Sequence, residues 1–255
     1  MKVARRVRLL RRFFERGLSL EVGADSSTLL VAFGGLAQEP GMPPFEFFAA
    51  TGDLPVKRLF VRDPRRAWYH RGMLGHGRSL VTLAKSLEQL IGRYEPHRVV
   101  MAGSSMGGYG ALVFGTLLGA DTVVCFSPQT VLDLDILAEM NDHHWDRRLG
   151  ELTAAGQLDR DWVDLRRALP SALRAGTRYE IYFDDRHRAD RLHAERLREI
   201  EGVRLYRFGR GAHHLARSLR DSGALARILS RAIDPTAEHV APMRSGAGPS
   251  PLPPP

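Results

Sequence analysis

The sequence predicts an α/β fold, a doubly wound, mostly parallel sheet of about seven strands with helices on both faces. Two observations support this. Short apolar, strand-like runs alternate with segments whose apolar residues repeat at helical spacing, which is typical of parallel βαβ units. The 255 residues, 44% of them hydrophobic, can build one large domain, and no repeat or linker divides them.

The first part of the pattern contains three strands and a helix. Apolar runs at residues 18–22 and 28–33 are separated by a Gly-Ala-Asp-Ser-Ser turn, which predicts an antiparallel hairpin. A third run spans residues 56–61. A helix is expected after Ser79, a suitable N-cap, because apolar residues follow it at helical spacing.

The second part continues the alternation around one long interruption. Strands are expected at residues 99–102, 121–126, 179–183 and 203–208, each followed by a helical pattern. Between the fifth and sixth strands of the sheet, residues 129–176 are polar and helical in pattern. They predict a helical cap inserted over the strand ends.

Both ends of the chain differ in composition from this predicted domain, residues 18–234. Residues 1–17 are basic: positions 1–16 hold seven arginine or lysine residues against one glutamate, a large part of the net charge of +8. They could form an amphipathic helix that makes weak contact with an anionic membrane surface; packing on the domain or fraying is the favoured alternative. Residues 235–255 are rich in proline, serine, glycine and alanine, which predicts a disordered tail.

Composition also bounds the cellular setting and the partners. No apolar stretch of signal-peptide or membrane-span length occurs, and a single cysteine, Cys125, excludes an intrachain disulfide. We therefore expect a soluble, cytoplasmic protein. The basic charge comes with no nucleic-acid recognition motif, so we expect no specific nucleic-acid partner. Nothing in the sequence sets the oligomeric state.

The main functional motif is Gly103-Ser104-Ser105-Met106-Gly107, set between a buried strand and a helix. A G-x-S-x-G in this place holds its middle serine on a strained turn, because the two glycines let the strand and helix backbones nearly touch. We predict that Ser105 is an exposed nucleophile. A Gly/Ser-rich turn without chemistry is the alternative.

Two loops beside this turn contain candidate binding residues. Gly34-Gly35, after the second strand, lets the backbone approach a ligand with its N–H groups pointing inward. The next loop is rich in phenylalanine, and Phe45 is a candidate for lining an apolar acyl pocket, with packing under the loop as the alternative. Trp68, Tyr69 and His70 follow the third strand; Tyr69 is our candidate for substrate binding, with a structural role as the alternative.

A nucleophilic serine needs a base within hydrogen-bond reach and a carboxylate that holds the base in the correct tautomer. The sixth strand is followed by Asp184-Asp185 and, further on, Asp190; the seventh is followed by His213-His214. We predict Asp185 as the acid, because it lies at the strand end, and His213 as the base, because it is nearer its strand. Asp184, Asp190 and His214 are the alternatives.

With this order of serine, acid and histidine, the chain resembles the α/β-hydrolase superfamily from about residue 18 to residue 233. The resemblance rests on the serine motif, Phe33-Gly34-Gly35, Asp184-Asp185 and Gly211-Ala212-His213-His214. It implies that the backbone N–H groups of Met106 and of Gly35, or Leu36, form an oxyanion hole. The chain departs from many members in having Phe33 where they carry histidine.

The resemblance implies hydrolysis of a carboxylic ester or thioester through an acyl-serine intermediate, with a small-molecule or acylated substrate and no cofactor. An acyltransferase with the same residues and a non-catalytic hydrolase-like binding protein are the alternatives. The segment Asp142-His143-His144-Trp145-Asp146 has metal-ligating residue types. Adjacent residues of a helix point in different directions, so we predict no metal site there.

Overall fold

The computed structural model describes residues 18–21, 26–35, 47–174, 176–209, 212–236 and 250–251. The predictions for the basic segment 1–17, for Leu36 and Phe45, and for most of the tail lie outside the described residues. Among the described residues, no helix is long and apolar enough to cross a lipid bilayer.

In the described part of the chain, eight strands form one sheet, which confirms the predicted α/β class. They are β1 (Leu18–Glu21), β2 (Thr28–Phe33), β3 (Lys57–Val61), β4 (Arg98–Ser104), β5 (Thr122–Phe126), β6 (Arg178–Asp184), β7 (Val203–Phe208) and β8 (Ser250–Pro251). Their spatial order is β1-β3-β2-β4-β5-β6-β7-β8. The six strands β2 to β7 are parallel, and β1 and β8 pair antiparallel at the two edges.

The edges of the sheet correct two predictions. The hairpin of β1 with β2 is wrong: β2 is hydrogen-bonded on both sides, to β3 and to β4, so β1 pairs with β3 at the edge. The tail is not wholly without structure, because Ser250 and Pro251 pair with Arg207 and Tyr206 of β7. Without them the outer backbone groups of β7 would be an unpaired edge.

The described helices are α1 (Leu80–Gly92), α2 (Met106–Leu118), α3 (Leu134–Glu139), α4 (Asp146–Ala154), α5 (Leu165–Ala172), α6 (Arg188–Glu195), α7 (Leu215–Asp221) and α8 (Ala224–Ile233). The first begins as predicted at Ser79, whose side chain accepts from the N–H of Thr82 at 3.2 Å while the Thr82 hydroxyl accepts from the N–H of Ser79 at 3.0 Å. This reciprocal cap satisfies two N–H groups at the helix start.

Two hydrophobic cores lie on opposite faces of the sheet. Successive residues of β2 alternate between the two cores. Leu29, Val31 and Phe33 belong to one core, and Leu30 and Ala32 belong to the other. The first core contains α1, α2 and α6, and the second contains α7 and α8. Apolar residues on both faces explain why the strands read as continuous apolar runs in the sequence.

The segment between β5 and β6 is helical, with α3, α4, α5 and a 3-10 turn at Arg160–Trp162. Its buried residues, among them Leu149, Leu165 and Leu169, extend the core that contains α2. The helical cap between the fifth and sixth strands is therefore present, packed on the α2 side of the sheet.

The strand order reverses between β2 and β4. The chain leaves β2 toward β3 on one side, then returns to form β4 on the other side of β2. The loops after β2 and β4 therefore diverge and leave a crevice at the carboxyl end of the sheet. Gly35 follows β2 and Ser105 follows β4, so both predicted site residues lie at this crevice.

Candidate active site

Ser105 lies on a sharp turn between β4 and α2. Its backbone has φ 53° and ψ −120°, a conformation that is costly for a residue with a side chain. A Cβ added to Gly103 would overlap the carbonyl of Gly107, and one added to Gly107 would overlap the carbonyl of Phe33. Glycine is therefore required at both flanking positions, as the motif predicted.

The side chain of Ser105 meets that of His213. The Ser105 Oγ to His213 Nε2 distance is 2.9 Å, and the His213 Nδ1 to Asp190 Oδ1 distance is 2.7 Å. A carboxylate can only accept, so Nδ1 carries the imidazole proton and Nε2 is left to accept from the Ser105 hydroxyl. The side chain of Asp190 is 3% exposed and that of His213 is 30% exposed.

The predicted acid, Asp185, does not reach His213. Its N–H donates to the carbonyl of Phe208 at 2.9 Å, which continues the pairing of β6 with β7, and its carboxylate faces Arg207 at 3.6 Å. Asp190 occupies the first turn of α6, which brings it back over the strand end to His213. The choice of Asp185 is thus wrong in geometry, and the alternative Asp190 takes the position beside the imidazole.

The alternatives Asp184 and His214 do not join this arrangement. Asp184 Oδ1 accepts from the N–H of Arg186 at 2.9 Å and closes the turn after β6. His214 is the exposed N-terminal cap residue of α7, with its ring centroid 6.1 Å from that of His213. Of the two histidines, His213 is the one within hydrogen-bond reach of Ser105.

The two predicted oxyanion-hole residues are near the turn that holds Ser105. Met106 is the first residue of α2, and the first N–H groups of a helix have no acceptor within it. Gly35 lies at the end of β2, where an added Cβ would be 3.2 Å from the carbonyl oxygen of Ser104. Neither N–H donates to another backbone group among the described residues.

Solved structures share this architecture. A capsule O-acetyltransferase of Neisseria meningitidis serogroup A matches with a TM-score of 0.60 and 12% identity over 83% of this chain and 91% of that one. An α/β-hydrolase enzyme from the sediment metagenome of the Mar Chica lagoon, Morocco, matches with a TM-score of 0.54 and 16% identity. The match covers 83% of this chain and 91% of that one. The chain has the α/β-hydrolase fold.

A third match differs in extent. The glycosylation-associate protein (Gap123) complex of Streptococcus agalactiae has a TM-score of 0.56 and 15% identity over 83% of this chain, which spans 46% of that one. No protein-family model matches the chain, and no curated protein does. At these identities the matches define the fold alone.

In this α/β-hydrolase fold, Trp68 and Tyr69 support the site from inside the core. Both have positive φ, 49° and 66°, and both are completely buried. The Tyr69 hydroxyl donates to the carbonyl of Gly34 at 2.9 Å, and the Trp68 indole N–H donates to Gln129 Oε1 at 2.7 Å. Burial also raises the pKa of Tyr69 well above its usual value, so the hydroxyl stays a donor. The prediction that Tyr69 binds substrate is wrong, because no solvent-sized group reaches it.

His70 continues this internal support. Its Nδ1 accepts from the N–H of Asp159 at 2.8 Å, so the proton lies on Nε2, which contacts the hydroxyl of Tyr109 at 2.8 Å. Tyr109 belongs to α2, and its hydroxyl donates to the carbonyl of Trp162 at 2.7 Å. Burial lowers the pKa of His70 to about 4, which keeps the ring neutral. His70 therefore ties α2, the helix that follows Ser105, to the cap.

A cavity of about 900 Å³ has His70 in its lining. It is lined by the glycine-rich loop before α1 and by residues 156–159 of the cap, and Arg65, Arg71 and Arg78 are its cationic residues. None of Ser105, Asp190 and His213 lines it. This cavity is therefore separate from the candidate nucleophile.

The cap segment 142–146, whose residues are of metal-ligating types, makes separate pairwise contacts. Asp142 binds buried His193 at 3.1 Å, a hydrogen bond that lowers the pKa of Asp142, and His143 pairs with Asp146 at 2.8 Å on the surface. Within the described residues, three possible ligand atoms do converge elsewhere: on His187, Asp190 and His213, all within 4.8 Å of one another. His187 is not recognisable in the sequence as a candidate ligand, since a histidine before a helix carries no distinguishing pattern.

Proposed function

We propose that this protein is a serine hydrolase that cleaves a carboxylic ester or thioester through an acyl-Ser105 intermediate. The observation that carries the proposal is the continuous hydrogen-bonded series from Ser105 Oγ through His213 to Asp190, with distances of 2.9 and 2.7 Å. Serine alone is a weak nucleophile, and this series supplies the base and the group that orients it.

In the acylation step, Ser105 Oγ attacks the carbonyl carbon while its proton passes to His213 Nε2. The imidazolium that forms keeps its Nδ1–H on Asp190, whose negative charge stabilises it. The tetrahedral intermediate then collapses, and Nε2–H protonates the leaving alcohol or thiol. The positive φ of Ser105 supports this role, because it projects the side chain away from β4 and α2.

Charge on the carbonyl oxygen is stabilised in this proposal by the N–H groups of Met106 and Gly35. Gly35 follows β2 and Met106 is the first residue of the helix that follows β4, so both lie at the carboxyl end of the sheet, and the macrodipole of α2 adds positive potential at Met106. Removing one such donor typically costs about 10²–10³ in rate. Tyr69 acts indirectly, because its hydroxyl donates to the carbonyl of Gly34, the residue before the Gly35 donor.

Deacylation by water completes a hydrolase cycle. The His213 side chain is 30% exposed, so solvent water reaches the base without opening of the cap. The rival is an acyltransferase, in which an acceptor hydroxyl replaces water on the same base. The likeness to a capsule O-acetyltransferase, at a TM-score of 0.60, is the reason to test it directly.

The test uses a fluorophosphonate probe, which labels activated serines. We expect the wild type and Ser104→Ala to be labelled and Ser105→Ala to be unlabelled, because Ser104 ends β4 and pairs with Phe126 instead of facing His213. Labelling of Ser105→Ala equal to that of the wild type would refute the nucleophile. No labelling of any folded form would favour a non-catalytic binding protein.

A panel of p-nitrophenyl esters of increasing acyl length then measures turnover. Adding an acceptor alcohol or a glycan separates the two activities. A hydrolase releases the same fraction of the acyl group as free acid with and without the acceptor, whereas a transferase transfers the acyl group to the acceptor. Product analysis by mass spectrometry distinguishes them.

A further inference from the structure

We propose that His187, Asp190 and His213 form a zinc site, and that Zn²⁺ bound there reversibly inhibits the enzyme. The inhibition depends on the function proposed above, whereas binding of the ion does not. His187 has no part in the acyl-transfer steps, so the site adds a residue and a ligand to the machinery already described.

The ligand atoms are close to the spacing that zinc needs. Asp190 Oδ1 is 2.7 Å from His213 Nδ1 and 3.1 Å from His187 Nδ1, and all three atoms lie within 4.8 Å of one another. Tetrahedral zinc with bonds of about 2.0–2.1 Å holds its ligand atoms about 3.3 Å apart. Side-chain movements of about 1.5 Å or less, ordinary for a part-exposed histidine, would close the site.

The contact of His187 with Asp190 itself calls for a positive group. His187 Nδ1 lies 3.3 Å from the N–H of Asp190, from which it accepts as the N-terminal cap of α6, and 3.1 Å from the Asp190 carboxylate oxygen. A neutral nitrogen that accepts from the N–H turns its lone pair toward a carboxylate that can only accept. A proton on Nδ1 or a metal cation between the two atoms removes this conflict, and in either case Nδ1 no longer accepts from the Asp190 N–H.

Asp190 can turn its carboxylate charge to such an ion. Its Oδ1 accepts from His213 Nδ1 and is released when the ion replaces the Nδ1 proton, while its Oδ2 is buried and has no hydrogen-bond partner among the described residues. A buried carboxylate oxygen without a donor is costly, and an ion that binds the carboxylate lowers that cost.

The ion also has a route from solvent. The His187 side chain is 39% exposed, so an ion can approach from this side and keep a water as its fourth ligand. Two imidazoles and one carboxylate suit zinc, whereas Mg²⁺ and Ca²⁺ prefer oxygen ligands throughout.

Binding would block the base by changing its tautomer. Zn²⁺ bonds to the lone pair that His213 Nδ1 has in the other neutral tautomer, so Nδ1 gives up its proton to solvent and Nε2 takes one up from solvent, with no net change in protons. The neutral, metal-bound imidazole then has its single proton on Nε2, which points at Ser105 Oγ. A nitrogen that donates to the serine cannot accept the serine proton, so acylation stops until the metal is removed.

Direct zinc binding, followed by competition with a chromophoric chelator, is the first measurement. It uses the full chain carrying Ser105→Ala, so that activity plays no part. We expect one Zn²⁺ per chain, affinity lowered about tenfold or more when His187→Ala is added, and no change when His214→Ala is added. His214 is the matched control, because its ring is also near His213, at 6.1 Å, but supplies no ligand atom.

The second measurement is inhibition of fluorophosphonate labelling and of ester turnover in the wild type, each variant being compared with its own rate without zinc. We expect zinc to suppress both and EDTA to restore them, with His187→Ala resistant and His214→Ala as sensitive as the wild type. Equal zinc affinity with and without His187 would overturn the site. Zinc bound through His187 in a protein that no activated-serine probe labels would overturn the proposed function and leave the site standing.

Discussion

The assignment of Asp190, and not Asp185, as the acid beside His213 is the prediction that most directly tests the site. In Asp190→Asn the amide no longer provides a negative charge at 2.7 Å from His213 Nδ1, and it can donate as well as accept. The imidazole then loses both its fixed tautomer and the charge that stabilises the imidazolium. The corresponding change in a serine triad lowers kcat by about 10⁴, or about 5.4 kcal/mol of transition-state stabilisation.

Asp185→Asn is the matched control. The Asp185 carboxylate is 3.6 Å from the Arg207 guanidinium, and both side chains are a third to a half exposed, so this pair contributes at most about 1 kcal/mol. We therefore expect kcat to change less than about fivefold.

Steady-state turnover of one p-nitrophenyl ester, with circular dichroism to check folding, measures both variants. A loss in Asp185→Asn as large as that in Asp190→Asn would refute the geometry. So would an Asp190→Asn enzyme that keeps a tenth or more of the wild-type kcat.

Three further changes test how the site is supported. Tyr69→Phe leaves the carbonyl of Gly34 without its donor, so we expect a loss of about 1–3 kcal/mol in urea unfolding and a fall in kcat with KM little changed; an unchanged unfolding midpoint would contradict this. Gly107→Ala should destabilise the fold by about 3 kcal/mol, because the new Cβ overlaps a strand carbonyl. Gly150→Ala in α4 has open space around it and should stabilise the fold by about 0.5–1 kcal/mol. Equal melting temperatures of the two variants would refute the contrast. Burial lowers the pKa of His70 from 6.5 to about 4, so its contribution to folding stability is fully present above pH 6.5 and is lost as the pH drops toward 4. The free energy of unfolding should fall by about 2 kcal/mol between pH 8 and pH 5. Urea unfolding of His70→Gln should lack this part of the pH dependence.

Sequence reasoning predicted the parts of the site that local backbone geometry determines. Gly103 and Gly107 are required by the approach of β4, α2 and β2, and that requirement is visible in five consecutive residues. His213 was preferred to His214 for its place nearer the strand, and the structure has it against Ser105.

The acid could not be chosen in this way. Asp184, Asp185 and Asp190 all follow β6, and their order along the chain does not say which carboxylate points toward β7. That depends on where the turn after β6 ends and on the direction of α6, which tertiary packing sets. The place of β1 was missed for a related reason: a short turn favours a hairpin locally, but the two sides of β2 are both taken by parallel neighbours.

Trp68, Tyr69 and His70 each bond a different part of the site: Gln129 in the segment that follows β5, the carbonyl of Gly34, and Tyr109 of α2. Three adjacent residues thus set the relative positions of groups that come from distant parts of the chain. A saturation-mutagenesis screen scored by turnover would rank this tripeptide beside Ser105, although its side chains are buried away from solvent. Attempts to redesign specificity should leave it untouched and vary the exposed rim around His213, where changes in shape cost the least framework stability.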